Sequence, residues 1–147
     1  MGVGHVPQEP LHTKRSRIEL QGRQYRGTSK RRNLNLARRA RGEWAEDLVA
    51  RHYESLGFTI IARNFRFKGG EIDVIAKRDR LVVICEVKAR ASDSHGIPAE
   101  AVTMAKQSRI RRGAVAFIRT TEMSGVNLRF DVACILGTKL EIITDAF

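Results

Sequence analysis

No run of apolar residues in this 147-residue chain is longer than a β-strand. The stretch Leu81–Cys85 is typical. A helix crossing a bilayer needs about 20 such residues, so a membrane-spanning protein is excluded. The N-terminus is basic but carries no hydrophobic block, so no secretory signal is read there. Cysteine is scarce: Cys85 and Cys134 each sit inside an apolar stretch, 81–87 and 130–136. Both read as small buried hydrophobes in a reducing, cytoplasmic compartment, with a disulfide between adjacent strands as the lesser alternative. The four histidines, His5, His12, His52 and His95, are scattered, and no Cys/His pair has zinc spacing. Neither a Gly-rich phosphate loop nor a Gly-x-Ser-x-Gly elbow is present, which removes the commonest nucleotide-binding and serine-hydrolase chemistries.

What the chain has in excess is positive charge, unevenly placed. There are 27 Lys and Arg against 16 Asp and Glu, a formal net charge of +11. Residues 1–42 hold 11 basic residues and only Glu9 and Glu19, a net +9, whereas residues 43–147 hold 16 basic and 14 acidic residues, a net +2. A nearly balanced domain therefore follows a cationic arm, and such an arm suits polyanions, nucleic acid before an anionic membrane surface. A solvated tail without a partner is the plain alternative.

Residues 1–33 lack apolar periodicity and are rich in Arg, Lys, Gly, Gln and Ser, so they are expected to be a disordered basic arm ahead of a domain at 34–147. From about Leu36 the spacing turns helical: Ala45, Leu48, Val49, His52 and Leu56 recur every three or four residues, with Gly57 as a stop. Strands are expected at Phe58–Arg63, Glu71–Lys77 and Leu81–Ala89, broken by Lys68-Gly69-Gly70 and the Asp79-Arg80 turn. After a polar loop from Arg90 to Gly96, Pro98 sits where a helix can begin. Ala101, Ala105, Ala114 and Phe117 belong to that amphipathic segment, which ends near Thr121. Strands at Asn127–Leu136 and Leu140–Thr144 close the chain. The order α-β-β-β-α-β-β suits an α/β (α+β) sandwich, a mixed sheet flanked by helices.

Chemistry concentrates in Gly70-Glu71-Ile72-Asp73 and Glu86-Val87-Lys88. Closing the hairpin at Asp79-Arg80 pairs residue 78 with 81, which puts Asp73 opposite Glu86 and Glu71 opposite Lys88. Side chains alternate along a strand, so Glu86 and Lys88 share a face. Two carboxylates directly across a hairpin lie with Cβ atoms about 4.5–5.5 Å apart and repel, a pairing that a structural sheet avoids. A divalent cation, Mg²⁺ or Mn²⁺, reverses the sign of that interaction. A metal held by acids with a lysine alongside is equipment for phosphodiester hydrolysis, the lysine stabilising charge on the phosphorane-like transition state. Glycosidases also use two carboxylates, but they ask for neither a lysine nor a cationic arm. Ordinary solvated surface acids are the plain alternative.

Asp73-x₁₂-Glu86-Val87-Lys88 behind an acidic helix resembles the PD-(D/E)XK motif of restriction-endonuclease-like nucleases. Gly42-Glu43-x-Ala45-Glu46, Gly70-Glu71-Ile72-Asp73, Glu86-Val87-Lys88-x-Arg90 and Arg129-Phe130-Asp131 together resemble the YraN family, itself similar to archaeal Holliday-junction resolvases. The resemblance covers about residues 40–145 and leaves the arm outside. Asp73 follows Ile72 rather than the Pro of the motif's name. The resemblance implies a restriction-endonuclease-like fold and Mg²⁺- or Mn²⁺-dependent cleavage of DNA, including branched DNA. It also implies Asp73, Glu86 and Glu46 as metal ligands and Lys88 as the catalytic lysine, with Glu71 either a secondary ligand or a partner for Lys88. Homodimerisation is in keeping with resolvase-like nucleases, which cut paired strands symmetrically.

Lys106, Arg109 and Arg112 fall near one helical face and could, with Arg90, grip phosphates. Trp44, Tyr53 and Phe65 suit core packing better than base stacking, and Asp131 suits a structural pairing with an arginine. Two rival readings remain: a nucleic-acid-binding protein that keeps the fold without hydrolysis, and a membrane-surface or ribosome-associated protein acting through its arm.

Overall fold

The computed structural model describes the backbone of residues 15–90 and 102–147, with side chains from residue 29 onward. The polar loop after Arg90 and Pro98 fall outside the described residues. The elements run α1 (Arg15–Ser55), β1 (Thr59–Phe67), β2 (Gly70–Arg78), β3 (Leu81–Arg90), α2 (Met104–Thr120), β4 (Asn127–Leu136) and β5 (Lys139–Ile143). Among the described residues no helix is long and apolar enough to cross a membrane.

The chain divides into two units, residues 1–39 and 40–147. In the first, α1 is already helical at Arg15, about twenty residues before the apolar spacing begins, and every residue from 29 to 39 is exposed. Part of the expected disordered arm, residues 1–14, lies outside the described residues. The early start has a physical basis: Arg, Lys and Gln are good helix formers, and extending an existing helix avoids the cost of nucleation.

In the second unit the five strands make one mixed sheet in the order β1-β2-β3-β4-β5, with only β3 and β4 parallel. Alternation sends Val83 and Cys85 to one face, where Ala45, Val49 and Tyr53 of α1 cover them, and Val82 and Ile84 to the other, where Ile110, Ala114 and Phe117 of α2 do the same. The result is the expected sheet between helices. Helix α1 stops as the sequence suggests. Gly57, at φ +83°, lets the Gly57 N–H donate to the Glu54 carbonyl and the Phe58 N–H to the Tyr53 carbonyl, a Schellman closure.

The fit of α2 against the β1–β2 hairpin depends on Gly113. A Cβ there would lie 2.5 Å from Phe67 Cε1 and 3.0 Å from Ile72 Cδ1. The helix starts at Met104, with Thr103 as N-cap accepting from the Lys106 N–H. Cys85 and Cys134 are buried and free, as small hydrophobes.

Candidate metal and phosphodiester site

The β2–β3 hairpin closes in the expected register, Arg78 with Leu81 through Val74 with Cys85, with Asp79 at φ +52° in the turn. The paired ladder then stops at Val74. One residue further, the Asp73 carboxylate accepts the Val87 N–H at 2.7 Å. The neighbouring β1–β2 pairing is also interrupted there: Arg63 pairs with Val74 and Phe65 with Ile72, while Asn64 between them takes φ +50°. Val74 packs on the α1 side, yet Ile72, two residues away, packs under α2. The hairpin thus changes face at Asp73, where β2 parts from β3 and sets a carboxylate at the gap.

Glu86 faces the α2 side of β3. It is the one buried acid beside this gap, its side chain 5% exposed, and its Oε1 accepts from two ammonium groups, Lys88 Nζ at 2.8 Å and Lys106 Nζ at 3.0 Å. Burial and the Glu86 charge lift the Asp73 carboxyl from 3.8 to about 7. Glu46 pushes in the same direction, against the Val87 N–H and Lys106. Asp73, Glu86 and Glu46 are therefore electrostatic neighbours, with Asp73 carrying the cost.

Glu46 is otherwise engaged. Its Oε2 accepts from Asn64 Nδ2 at 2.7 Å and lies 3.6 Å from an Arg63 guanidinium nitrogen, while Arg63 also pairs with Asp47 at 2.7 Å. Glu71, exposed, lies 3.6 Å from Arg66 Nε, so its partner is across the β1–β2 pair rather than Lys88. Among the described residues no three of His, Cys, Asp and Glu gather around one point.

The expected basic surface is divided. Lys106 shares the α2 stripe of Ile110, Gly113 and Phe117 and reaches inward to Glu86, instead of joining Arg109 and Arg112 on an outward face. Arg109 lays its methylenes over Gly70, its Cδ 3.0 Å from where a Cβ would stand. Arg112 lines an open depression on the outside of α2 with Arg111, Val115, Ala116 and Arg119. Arg90 ends β3, two residues beyond Lys88 on the same face.

Of the three aromatics, Tyr53 is buried and Phe65 packs edge-on against Phe117, whereas Trp44 stays 43% exposed. Asp131 is structural: its carboxylate accepts from Tyr53 Oη at 2.7 Å, from two Arg129 guanidinium nitrogens at 2.9 and 2.7 Å, and from the Asp145 N–H at 3.0 Å. Sequence reasoning anticipated its arginine. The Tyr53 bond and the inward turn of Lys106 escaped it, although a lysine four residues before Ile110 and eleven before Phe117 is a readable sign of the second.

The model of the family described as "Uncharacterised protein family UPF0102" matches residues 45–135, a segment containing all of these carboxylates and lysines. A UPF0102 protein of Geobacter sulfurreducens is 41% identical over 111 residues, covering 72% of this chain and 87% of that one. One of Acidothermus cellulolyticus is 39% identical over 126 residues, covering 76% and 96%, and one of Rhodococcus opacus 42% over 113 residues, covering 74% and 96%. With a family model spanning more than half its length and full-domain relatives at this identity, the chain belongs to the UPF0102 family.

Proposed function

We propose that this protein is a divalent-metal-dependent endonuclease of the restriction-endonuclease-like class, hydrolysing phosphodiester bonds of DNA, branched DNA included, inside the cell. The observation that carries this reading is the buried Glu86 carboxylate at the parting of β2 and β3, with Asp73 beside it and Lys88 upon it.

The donor set fits a hard cation. Burial first, and the Glu86 charge after it, keep Asp73 protonated up to about 7, so a cation beside both acids would relieve an unfavourable ionisation. Mg²⁺ is commonly held by one or two carboxylates, its other positions going to water and substrate phosphate, so a third converging acid is not required. Asp73 and Glu86 would hold the ion, which when bound lowers the pKa of water and takes up charge developing on phosphorus. The Val87 N–H fixes the Asp73 carboxylate in place, leaving its other oxygen for the ion. Lys88, two residues from Glu86 on the same face, reaches the non-bridging oxygens of a phosphate beside Glu86 and neutralises the transition state. Water adds to phosphorus, the P–O ester bond breaks, and the products are a phosphate monoester and an alcohol. Glu46, held by Asn64 and Arg63, adds negative field from the edge. Arg109, Arg112 and Arg90 supply contacts to flanking phosphates, and the exposed cationic stretch at 29–41 adds sequence-blind attraction.

Cleavage of linear, flapped and four-way DNA with Mg²⁺ or Mn²⁺ tests this. Asp73→Ala and Glu86→Ala should abolish cutting while leaving DNA affinity nearly intact. A wild-type protein that cuts none of these substrates with any divalent ion overturns it. One observation favours a second reading in that event: two ammonium groups already satisfy Glu86, as in a binding protein that retains the fold without hydrolysis.

A further inference from the structure

Lys106 occupies an unusual place for a lysine. It is the third residue of α2, a position where the helix dipole and the free N–H groups favour an acid, and α2 has no acid in its first turn. It also lies on the stripe that packs against the sheet, and its ammonium ends on Glu86 Oε1, the oxygen that Lys88 already contacts. One buried carboxylate oxygen thus carries two cations. Both lysine side chains reach solvent, Lys88 at 32% and Lys106 at 29% exposure, but only Lys106 stands at a helix N-terminus, where phosphate oxygens are favoured.

We propose that Lys106 is a positioning residue that couples metal binding to nucleic-acid binding. Without DNA it occupies the metal's oxygen on Glu86, and a backbone phosphate arriving at the N-terminus of α2 draws it away and frees that oxygen. This inference rests on the metal-dependent reading above and adds regulation of the same site. Metal and DNA then bind cooperatively, and by linkage each raises the other's affinity by the same factor. The device keeps a divalent ion from being fully seated until a substrate phosphate is present.

Mn²⁺ binding followed by electron paramagnetic resonance on the full chain, with and without a short phosphorothioate-backboned duplex, tests it independently of turnover. In wild type, the duplex should tighten Mn²⁺ binding about tenfold, the size of effect expected from removing one nearby, partly screened cation. Lys106→Met should bind Mn²⁺ about tenfold more tightly than wild type without DNA and gain nothing further from the duplex. Lys106→Arg should restore the dependence on DNA. Lys106→Gln serves if the methionine variant does not fold, with the same expected pattern. A Lys106 variant that keeps the full DNA-dependent gain overturns the coupling while leaving the metal site standing. Absence of Mn²⁺ binding by both wild type and variants, with and without the duplex, overturns the metal-dependent reading and the inference with it.

Discussion

Asp73→Asn should stabilise the metal-free protein, although it alters a residue placed at the centre of the site. The amide oxygen can still accept the Val87 N–H, so the backbone bond survives. What disappears is a carboxylate forced to ionise beside Glu86. With its carboxyl lifted from 3.8 to about 7, and each tenfold step worth about 1.4 kcal/mol, holding Asp73 ionised costs at most ~4 kcal/mol; partial solvent access reduces this to about 1–3 kcal/mol. Below about pH 4 the group is protonated in both folded and unfolded chains. As pH rises toward 7 the unfolded chain ionises first, the folded state holds the extra proton, and stability falls; above 7 the deficit is constant. At about pH 8 the variant should therefore exceed wild type by about 1–3 kcal/mol, with a midpoint several degrees higher, and the two should converge toward about pH 4. Saturating Mg²⁺ should reverse the order, since it stabilises wild type by mass action and the variant far less. Urea and thermal unfolding followed by circular dichroism, across pH and with or without Mg²⁺, measure these effects. A variant less stable than wild type at about pH 8 without metal would refute the reasoning.

Four further outcomes are expected. Gly113→Ala drives a methyl into Phe67 and Ile72 and should cost about 1–3 kcal/mol in urea unfolding, because a Cβ 2.5 Å from the ring forces the ring or the helix to shift. Tyr53→Phe removes one of the bonds to the fully buried Asp131 and should cost about 1–2 kcal/mol by the same measurement, leaving Mn²⁺ affinity unchanged. Glu122, at φ +52° in the turn that closes α2, should gain about 0.5–1 kcal/mol on change to Gly, read as a higher unfolding midpoint. Glu71→Gln, which removes only an exposed pair with Arg66, should alter stability by less than about 0.5 kcal/mol and leave the rate of DNA cleavage unchanged.

The parts of the molecule legible from sequence are those set by local chemistry. The Asp79-Arg80 turn fixes the hairpin register, Gly57 ends α1, and period-two apolar runs mark the strands within a few residues of their observed ends. The expectation that Asp73 lies opposite Glu86 came from register alone. Register could not reveal that the ladder ends at Val74, because the release depends on Asn64 in the adjacent strand taking a left-handed conformation and on a carboxylate replacing a ladder acceptor. Likewise, Lys106 looks like one more surface cation until α2 is laid on the sheet and its buried stripe is seen to end over Glu86. Glu46 adds its charge to the Asp73 environment, but its bonds to Asn64 and Arg63 join residues 18 and 17 positions apart in sequence, and no local pattern encodes them.

The central claim, that Asp73 and Glu86 together hold a divalent cation, is tested most directly by anomalous diffraction from crystals of the full chain grown with DNA and Mn²⁺. The account predicts a peak bonded to one oxygen of each carboxylate at about 2.0–2.3 Å, with Lys106 withdrawn from Glu86. Mn²⁺ bound elsewhere, with both lysines still on Glu86, would contradict it.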